Sequence, residues 1–123
     1  DDYNRVRIEN ADYLRDRLNE NHSNYVVKSH MNASPVYTRF AFICDSSEYR
    51  ECIYNKLNKA RLGVSKNFPY SLHKIEGFGA LILNPDHPFI KAYDLSHRLL
   101  TLPTHPYVKK HDLDKMVACI TVP

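Results

Sequence analysis

The feature that most restricts the fold is a strand-like segment followed at once by a helix-like segment, across residues 36–60. Residues 36–44 are rich in β-branched and aromatic side chains, and apolar residues occupy both alternating sets, as in a strand covered on both faces. Residues 45–48 read Asp-Ser-Ser-Glu, which resembles a capping box. A helical stripe follows, formed by Tyr49, Cys52, Ile53, Leu57 and Ala60. Gly63 is expected to stop this helix, because glycine readily takes the left-handed conformation.

The other periodic segments complete a mixed fold. Helical spacing of apolar residues predicts helices over residues 4–20 and 89–97, and short apolar runs predict strands at 25–27 and 99–102. Asp112 is expected to cap a last helix. Residues 64–84 lack clear periodicity, and an irregular segment of this length is often functional. The order predicts an α+β fold, a small and mainly antiparallel sheet with helices packed on one side, in a single domain over residues 1–123.

Composition excludes several classes of protein. The longest apolar runs, residues 40–44 and 80–83, are far shorter than the roughly 20 residues of a membrane helix. Seventeen basic and 14 acidic residues are spread along the chain, so its net charge of +3 does not demand a nucleic-acid partner. The three cysteines, Cys44, Cys52 and Cys119, are far apart and lie in predicted helices and strands. They are expected to be reduced thiols in the core of a cytoplasmic protein.

The sequence contains no recognisable motif for catalysis or for metal binding. The seven histidines show neither an i, i+4 pair nor a zinc-type spacing, so no metal site is predicted. With three glycines there is no phosphate-binding loop, and no catalytic residue is proposed. Arg98 stands just ahead of an apolar strand, so it must stay solvated, pair with a carboxylate or face an anionic ligand group. Residues 66–70 mix donors and aromatic rings, which suits ligand contact and equally suits a turn.

Four motifs occur in one order along nearly the whole chain. They are Arg-Ile-Glu-Asn-Ala-Asp-Tyr-Leu at 7–14, Val-Tyr-Thr-Arg-Phe at 36–40, Leu-Gly-Val at 62–64 with Asn-Phe-Pro-Tyr-Ser-Leu-His at 67–73, and Arg-Leu-Leu-Thr-Leu-Pro-Thr-His-Pro at 98–106 with Asp112-Leu113. The third resembles G-I-x-x-x-x-H-Y-P-x-P-L-H and the fourth resembles R-x-L-x-L-P-x-H-P. Together they resemble the C-terminal small domain of the DegT/DnrJ/EryC1/StrS family of PLP-dependent sugar aminotransferases, which have the aspartate-aminotransferase-like fold.

The resemblance implies a part of a longer, homodimeric enzyme. The chain starts at Asp1 without a methionine, and we expect a large domain of the same polypeptide to precede it. The parent would use pyridoxal phosphate (PLP) to move an amino group from an amino acid, usually glutamate, to a keto group of a nucleotide-linked sugar. The lysine that holds PLP and most phosphate contacts belong to the large domain, so no cofactor is expected on this chain alone. The first helix is expected to expose apolar surface left uncovered by that domain.

The resemblance also implies substrate contacts. Asn67 falls at the family's substrate-facing histidine, Phe68 at its tyrosine, His73 at its second histidine, and Arg98 at the arginine of its last strand. Asn67 lacks the titratable ring and Phe68 lacks the phenol. The parent therefore has an unusual sugar specificity or belongs with the related dehydratases, which usually carry a histidine in place of the PLP lysine.

Two other functional classes remain open. The chain could be a stand-alone α+β module for a small ligand or RNA that uses its tyrosines and scattered basic residues, and RNA binding would weaken steeply with salt. It could instead be an interaction domain without a ligand, in which case residues 67–73 would be inert.

Overall fold

The computed structural model describes residues 2–19, 26–27, 29–84 and 86–121. Within these residues, four helices and two strands follow one another in the order α1 (Asp2–Asn19), β1 (Arg39–Ile43), α2 (Ser47–Lys59), α3 (Ile90–Arg98), β2 (Leu99–Pro103) and α4 (Lys110–Thr121). Two short 3₁₀ helices, Leu72–Lys74 and Gly79–Leu81, interrupt the long connection between α2 and α3. Within the described parts of the chain, no helix is long and apolar enough to cross a membrane.

The sheet pairs β1 with β2 in antiparallel register, from Arg39 opposite Pro103 to Ile43 opposite Leu99. Single bridges extend it at both edges, Val26 to Phe42 on one side and Ser65 to Thr101 on the other. Of the strand predicted at residues 25–27, only the bridge at Val26 is seen: Val27 is described but lies outside any strand, and Tyr25 lies outside the described residues. The prediction of a small antiparallel sheet is confirmed.

Strand β1 is shorter than the predicted segment 36–44. Tyr37 has a φ of 52°, in the left-handed region, so the extended conformation of the strand begins only after it. From Arg39 onward the side chains alternate between buried and half-buried, with Phe40 and Phe42 on the buried face. The strand is therefore more completely covered on one face than on the other.

The core lies between the buried face of the sheet and three helices. Helix α1 contacts β1, α2 contacts β2, and α4 contacts both α1 and α2. The buried apolar side chains of these strands and helices are Phe40 and Phe42 of β1, Leu100 and Leu102 of β2, Ala11, Leu14 and Leu18 of α1, Ile53 and Leu57 of α2, and Leu113, Met116, Val117 and Ile120 of α4. The removal of these side chains from water drives the layers together, and the predicted α+β class is confirmed.

Helix α2 starts as predicted and stops differently. The Ser46 hydroxyl accepts a hydrogen bond from the backbone N–H of Tyr49 at 3.1 Å. At the other end Arg61 takes the left-handed conformation (φ 56°), and the N–H of Leu62 bonds the carbonyl of Leu57, as in a Schellman motif. The prediction that Gly63 stops the helix is wrong, because hydrogen bonds from Arg61 and Leu62 already close its last turn.

Gly63 is instead required by the backbone of the loop that follows α2. Its φ is 68°, and a Cβ at this position would lie 3.3 Å from Cγ of Pro103. Glycine therefore permits both the left-handed turn and the close approach of the loop to the end of β2.

The start of α4 also differs in detail. The helix begins at Lys110, and Asp112 lies inside its first turn, where its Oδ2 accepts a hydrogen bond from the backbone N–H of Lys109 at 3.1 Å. Asp112 caps the helix by reaching back, like the acidic member of a capping box, and it does not precede the helix as predicted.

The three cysteines occupy different environments. Cys44 is buried, Cys52 is exposed and Cys119 is half-buried, and all three thiols are free. The prediction of core thiols is right for Cys44 and wrong for Cys52, because α2 turns Ile53 and Leu57 toward the core. Burial raises the pKa of the Cys44 thiol to about 12.

A brief treatment of the folded chain with iodoacetamide at pH 8 is expected to alkylate Cys52 and to spare Cys44, because the reaction needs an accessible thiolate. Peptide mass mapping measures both sites. Full modification of Cys44 at the rate seen in urea would contradict the burial of this thiol.

Candidate functional site

Among the described residues, the long connection between α2 and α3 carries more exposed large apolar side chains than any other segment. Leu83 is 98% exposed, Phe68 76% and Leu81 75%, and their neighbours Leu72 and Ile90 are also exposed. On the first helix, where the sequence predicts exposed apolar surface, Tyr3 is 56% exposed, whereas Ala11, Leu14 and Leu18 are buried in the core. The part of this fold suited to meet a ligand or another domain is therefore the connection.

One side of the connection forms a cavity of about 240 Å³ against α3, here called the loop cleft. The residues that line it are Phe68, Tyr70, Ser71 and Leu72 from the connection, Ala92, Leu95 and Ser96 from α3, and Leu99 from β2. Phe68 has a φ of 57°, which is an uncommon conformation for a bulky residue. The ring of Phe68 remains largely exposed at the cleft.

A second cavity of about 280 Å³, the His73 recess, adjoins the loop cleft and is lined by Leu72, His73, Ile82, Phe89 and Ala92. The imidazole of His73 lies 5.1 Å from the ring of Phe89, centroid to centroid. Its Nε2 is buried and has no hydrogen-bond partner. Because Leu72 and Ala92 line both cavities, Phe68 and His73 lie along one continuous surface.

Asn67 anchors the start of this surface. Its Oδ1 accepts a hydrogen bond from the hydroxyl of Ser65, and Ser65 is bridged to β2 through backbone hydrogen bonds with Thr101. The neighbouring Lys66 forms an ion pair with Glu51 at 2.5 Å. That ammonium is the main reason why the pKa of Glu51 is lowered. The Oδ1 of Asn67 is thus bonded within the loop itself.

Arg98 lies on the opposite side of α3. Its Nη2 and Nε donate to Oδ2 of Asp94 at 2.6 and 3.0 Å, and its Nη1 donates to the carbonyl of Cys44 at 3.1 Å. It lines a separate cavity of about 490 Å³ with Tyr93, Asp94, His97 and the start of α2. The structure therefore brings Phe68 and His73 together and places Arg98 apart, in a carboxylate pair.

Two residues of the site region, Ser71 and Arg50, were not predicted from the sequence. Ser71 is 6% exposed and lines the loop cleft, and the signal that could have found it is its position at the second proline of the family motif. Arg50 is 8% exposed; its Nη1 donates to the carbonyl of Ser96 at 2.8 Å and its Nη2 to Glu51 at 2.9 Å. Glu51 also pairs with Lys66, so this network of ion pairs and hydrogen bonds links the segment between α2 and α3 to α3 itself.

The residues present do not form a complete holder for PLP. Neither the loop cleft nor the His73 recess is lined by a charged side chain, so neither offers a lysine or a phosphate-binding cation. Lys66 is paired with Glu51 and lies 4.1 Å from the ring of Tyr54. Among the described residues there is also no group of three or more metal-ligating side chains.

Solved structures share this fold. A DegT DnrJ EryC1 StrS aminotransferase from Brucella abortus matches 97% of the chain with 19% sequence identity and a TM-score of 0.73. Spr1654 of Streptococcus pneumoniae, described as a sugar aminotransferase, matches 98% of it with TM-scores of 0.75 in its PMP-form and 0.76 in its PLP-form, at 16 and 17% identity. The chain spans about 30% of the length of these structures.

The sequence comparison agrees with the structural one. No curated protein matches the chain significantly. The sequence model of the DegT/DnrJ/EryC1/StrS aminotransferase family, however, matches residues 1–121, which is nearly the whole chain. The resemblance seen in the four motifs is confirmed, and the chain belongs to this family.

Proposed function

We propose that this chain is the substrate-closing C-terminal domain of a PLP-dependent aminotransferase that acts on a nucleotide-linked keto sugar, and that it is inactive without its large domain. The observation that carries the proposal is the family match over residues 1–121 in a chain that spans about 30% of its structural neighbours. The PLP- and PMP-forms of one neighbour support PLP as the cofactor of the parent enzyme. The parent is proposed to be a cytoplasmic homodimer with glutamate as amino donor.

The contribution of this chain is to bind and cover the substrate. Phe68 and His73 lie on the exposed connection, where the closing domain would meet a sugar bound by the large domain. The apolar side chains around them would exclude water from the reaction when the domain closes. PLP supplies the amino-transfer chemistry, and the residues described here do not hold it.

Asn67 and Arg98 are assigned more limited roles. The Oδ1 of Asn67 already accepts a hydrogen bond from Ser65, so we assign its substrate contact to the amide nitrogen, Nδ2. Arg98 would have to leave Asp94 to reach the loop cleft. We therefore assign its substrate contact to the cavity on the far side of α3, at a different part of the substrate from Phe68 and His73.

An activity assay tests the proposal. The isolated chain and the parent polypeptide are each incubated with PLP, glutamate and a panel of nucleotide-linked keto sugars, and amino sugars are detected by mass spectrometry. Turnover is expected from the parent alone, because the chain holds no lysine in either cavity that would face the substrate. Turnover by the isolated chain would contradict the proposal.

Two further outcomes of the assay lead to different functions. Loss of a hydroxyl group from the sugar, without incorporation of nitrogen, would make the parent a dehydratase. A parent that lacks both activities, together with RNA binding by the chain that falls steeply as salt rises, would establish the binding-module alternative.

A further inference from the structure

Buried polar atoms without a hydrogen-bond partner are rare in folded proteins, so each one needs an explanation. Among the described residues four buried side-chain atoms have no hydrogen-bond partner: Nε of Arg50, Oγ of Ser71, Nε2 of His73 and Nδ1 of His105. Two of them, those of Ser71 and His73, lie two residues apart in the connection between α2 and α3. A buried hydroxyl left unpaired is unfavourable by more than an ordinary hydrogen bond contributes, so such groups normally find a partner.

Ser71 is the stronger of the two features. Its side chain belongs to a residue that is 94% buried, the complement of its 6% exposure, and it lines the loop cleft. Ser71 stands at the N-cap of the 3₁₀ helix Leu72–Lys74, where a serine hydroxyl ordinarily caps, yet it makes no capping hydrogen bond. Its hydroxyl is therefore a buried and unpartnered group in a residue that lines the cleft.

The walls of the cleft define what can enter. Phe68, Leu72, Leu95 and Leu99 supply apolar surface, and Tyr70, which is 65% exposed, adds a ring with a phenol. The hydroxyl of the other serine in the lining, Ser96, already donates to the carbonyl of Tyr93 at 2.8 Å. With no charged side chain in the lining, a phosphate or carboxylate would lose its hydration without compensation. The volume of about 240 Å³ is below the roughly 300–1,000 Å³ of pockets that hold whole ligands. The cleft thus suits one uncharged ring of a larger molecule.

We propose that the hydroxyl of Ser71 forms the specificity-determining hydrogen bond to an uncharged ring of the substrate seated in the loop cleft. This inference rests on the proposed function and deepens it, since a nucleotide-linked sugar carries two such rings, the nucleobase and the sugar. Its charged phosphates lie outside the cleft. Ser71 stands where the family motif has proline, so the contact distinguishes this chain from relatives that follow the motif.

Two substitutions separate ligand binding from folding. Ser71→Ala removes the hydroxyl alone. Ser71→Pro restores the residue of the family motif, and the φ of −72° at this position suits proline. Ser34→Ala, in an exposed loop ahead of β1, is the matched control for loss of a serine hydroxyl.

The experiment is a titration of the ¹⁵N-labelled chain and its three variants, followed by amide chemical shifts. The probes are thymidine and uridine for the nucleobase, methyl α-L-fucopyranoside for a deoxygenated sugar ring, and inorganic pyrophosphate for the charged part. One of the uncharged probes is expected to shift amides around Phe68, Ser71 and Leu95, and the probe that does so identifies the ring. Ser71→Ala and Ser71→Pro are expected to weaken its binding about fivefold, the value of one ordinary hydrogen bond. Ser34→Ala is expected to bind like the wild type.

The thermal midpoint of unfolding supplies the second readout. Because the hydroxyl has no partner in the folded chain, Ser71→Ala is expected to leave the midpoint unchanged or to raise it. A lowered midpoint with unchanged ring binding would show a structural hydroxyl and overturn the proposal. Pyrophosphate shifts at the cleft, or no shift there with any uncharged probe, would overturn it too.

These outcomes are independent of the activity assay. The titration needs neither PLP nor turnover, so ring binding at Ser71 can hold in a parent that proves to be a dehydratase. Conversely, an active aminotransferase whose cleft binds no ring would remove this inference and leave the proposed function intact.

Discussion

Phe42→Ala is expected to lower the free energy of unfolding of the chain by about 3–5 kcal/mol, the usual cost of removing a buried phenylalanine ring. Phe42 is fully buried, pairs with Leu100 in the sheet and is bridged to Val26 at the sheet edge. It therefore lies at the centre of the contacts that hold the layers together. Such a loss is comparable to the whole stability of many small domains, so much of the variant is expected to be unfolded at room temperature.

Urea denaturation followed by circular dichroism measures this effect. Phe68→Ala is the matched control, since the same ring is removed from a position that is 76% exposed. The control is expected to change the free energy of unfolding by no more than about 0.5 kcal/mol. Equal losses in the two variants would mean that the sheet face does not form the core.

Arg50→Ala is expected to cost about 2–3 kcal/mol, because charged hydrogen bonds to the carbonyl of Ser96 and to Glu51 are lost together. The buried aliphatic stem of Arg50 also loses its packing. Since Arg50 connects α2 to α3, the variant should loosen the α3 wall of the loop cleft before the rest of the fold.

Urea denaturation gives the overall loss, and hydrogen exchange of the α3 amides locates it. Arg5→Ala removes an arginine whose ion pairs with Asp2 and Glu9 are exposed, and it is expected to change stability by no more than about 0.5 kcal/mol. If Arg50→Ala matched this control, or if exchange in α3 did not accelerate, the network would have no role in positioning α3.

Several elements of the fold were predictable because they depend on neighbours in sequence. The spacing of apolar residues predicted the positions of α1, α2 and α4. The start of α2 was predictable from Ser46, because its hydroxyl caps the helix through a hydrogen bond to a residue only three positions away. The run at 99–102 became β2 as predicted. The error at Tyr37 concerns a residue held by Arg15 and Thr104 from other segments, which no local pattern records. At Gly63 the error is local, because Arg61 takes the left-handed conformation and closes the helix two residues earlier.

The site was predictable in part. The motif at residues 67–73 located Phe68 and His73 on the exposed connection, although their contact with a substrate stays a prediction. Arg98 also lies where its motif predicts, directly ahead of β2. The motif does not show, however, that Arg98 contacts Asp94 and Cys44. Residues Ala92, Leu95 and Ser96 turn one side of α3 to the loop cleft, and Tyr93, Asp94 and Arg98 turn the other side away from it.

By itself the sequence determined the order of helices and strands, the α+β class and the family, because helical and strand periodicities and short motifs are local properties. Only the tertiary structure decided which side chains lose contact with water. Ser71 and Cys52 show this best: the polar residue is buried without a partner, and the residue expected in the core is exposed. Burial depends on how distant segments pack, and that packing sets the chemistry of the loop cleft.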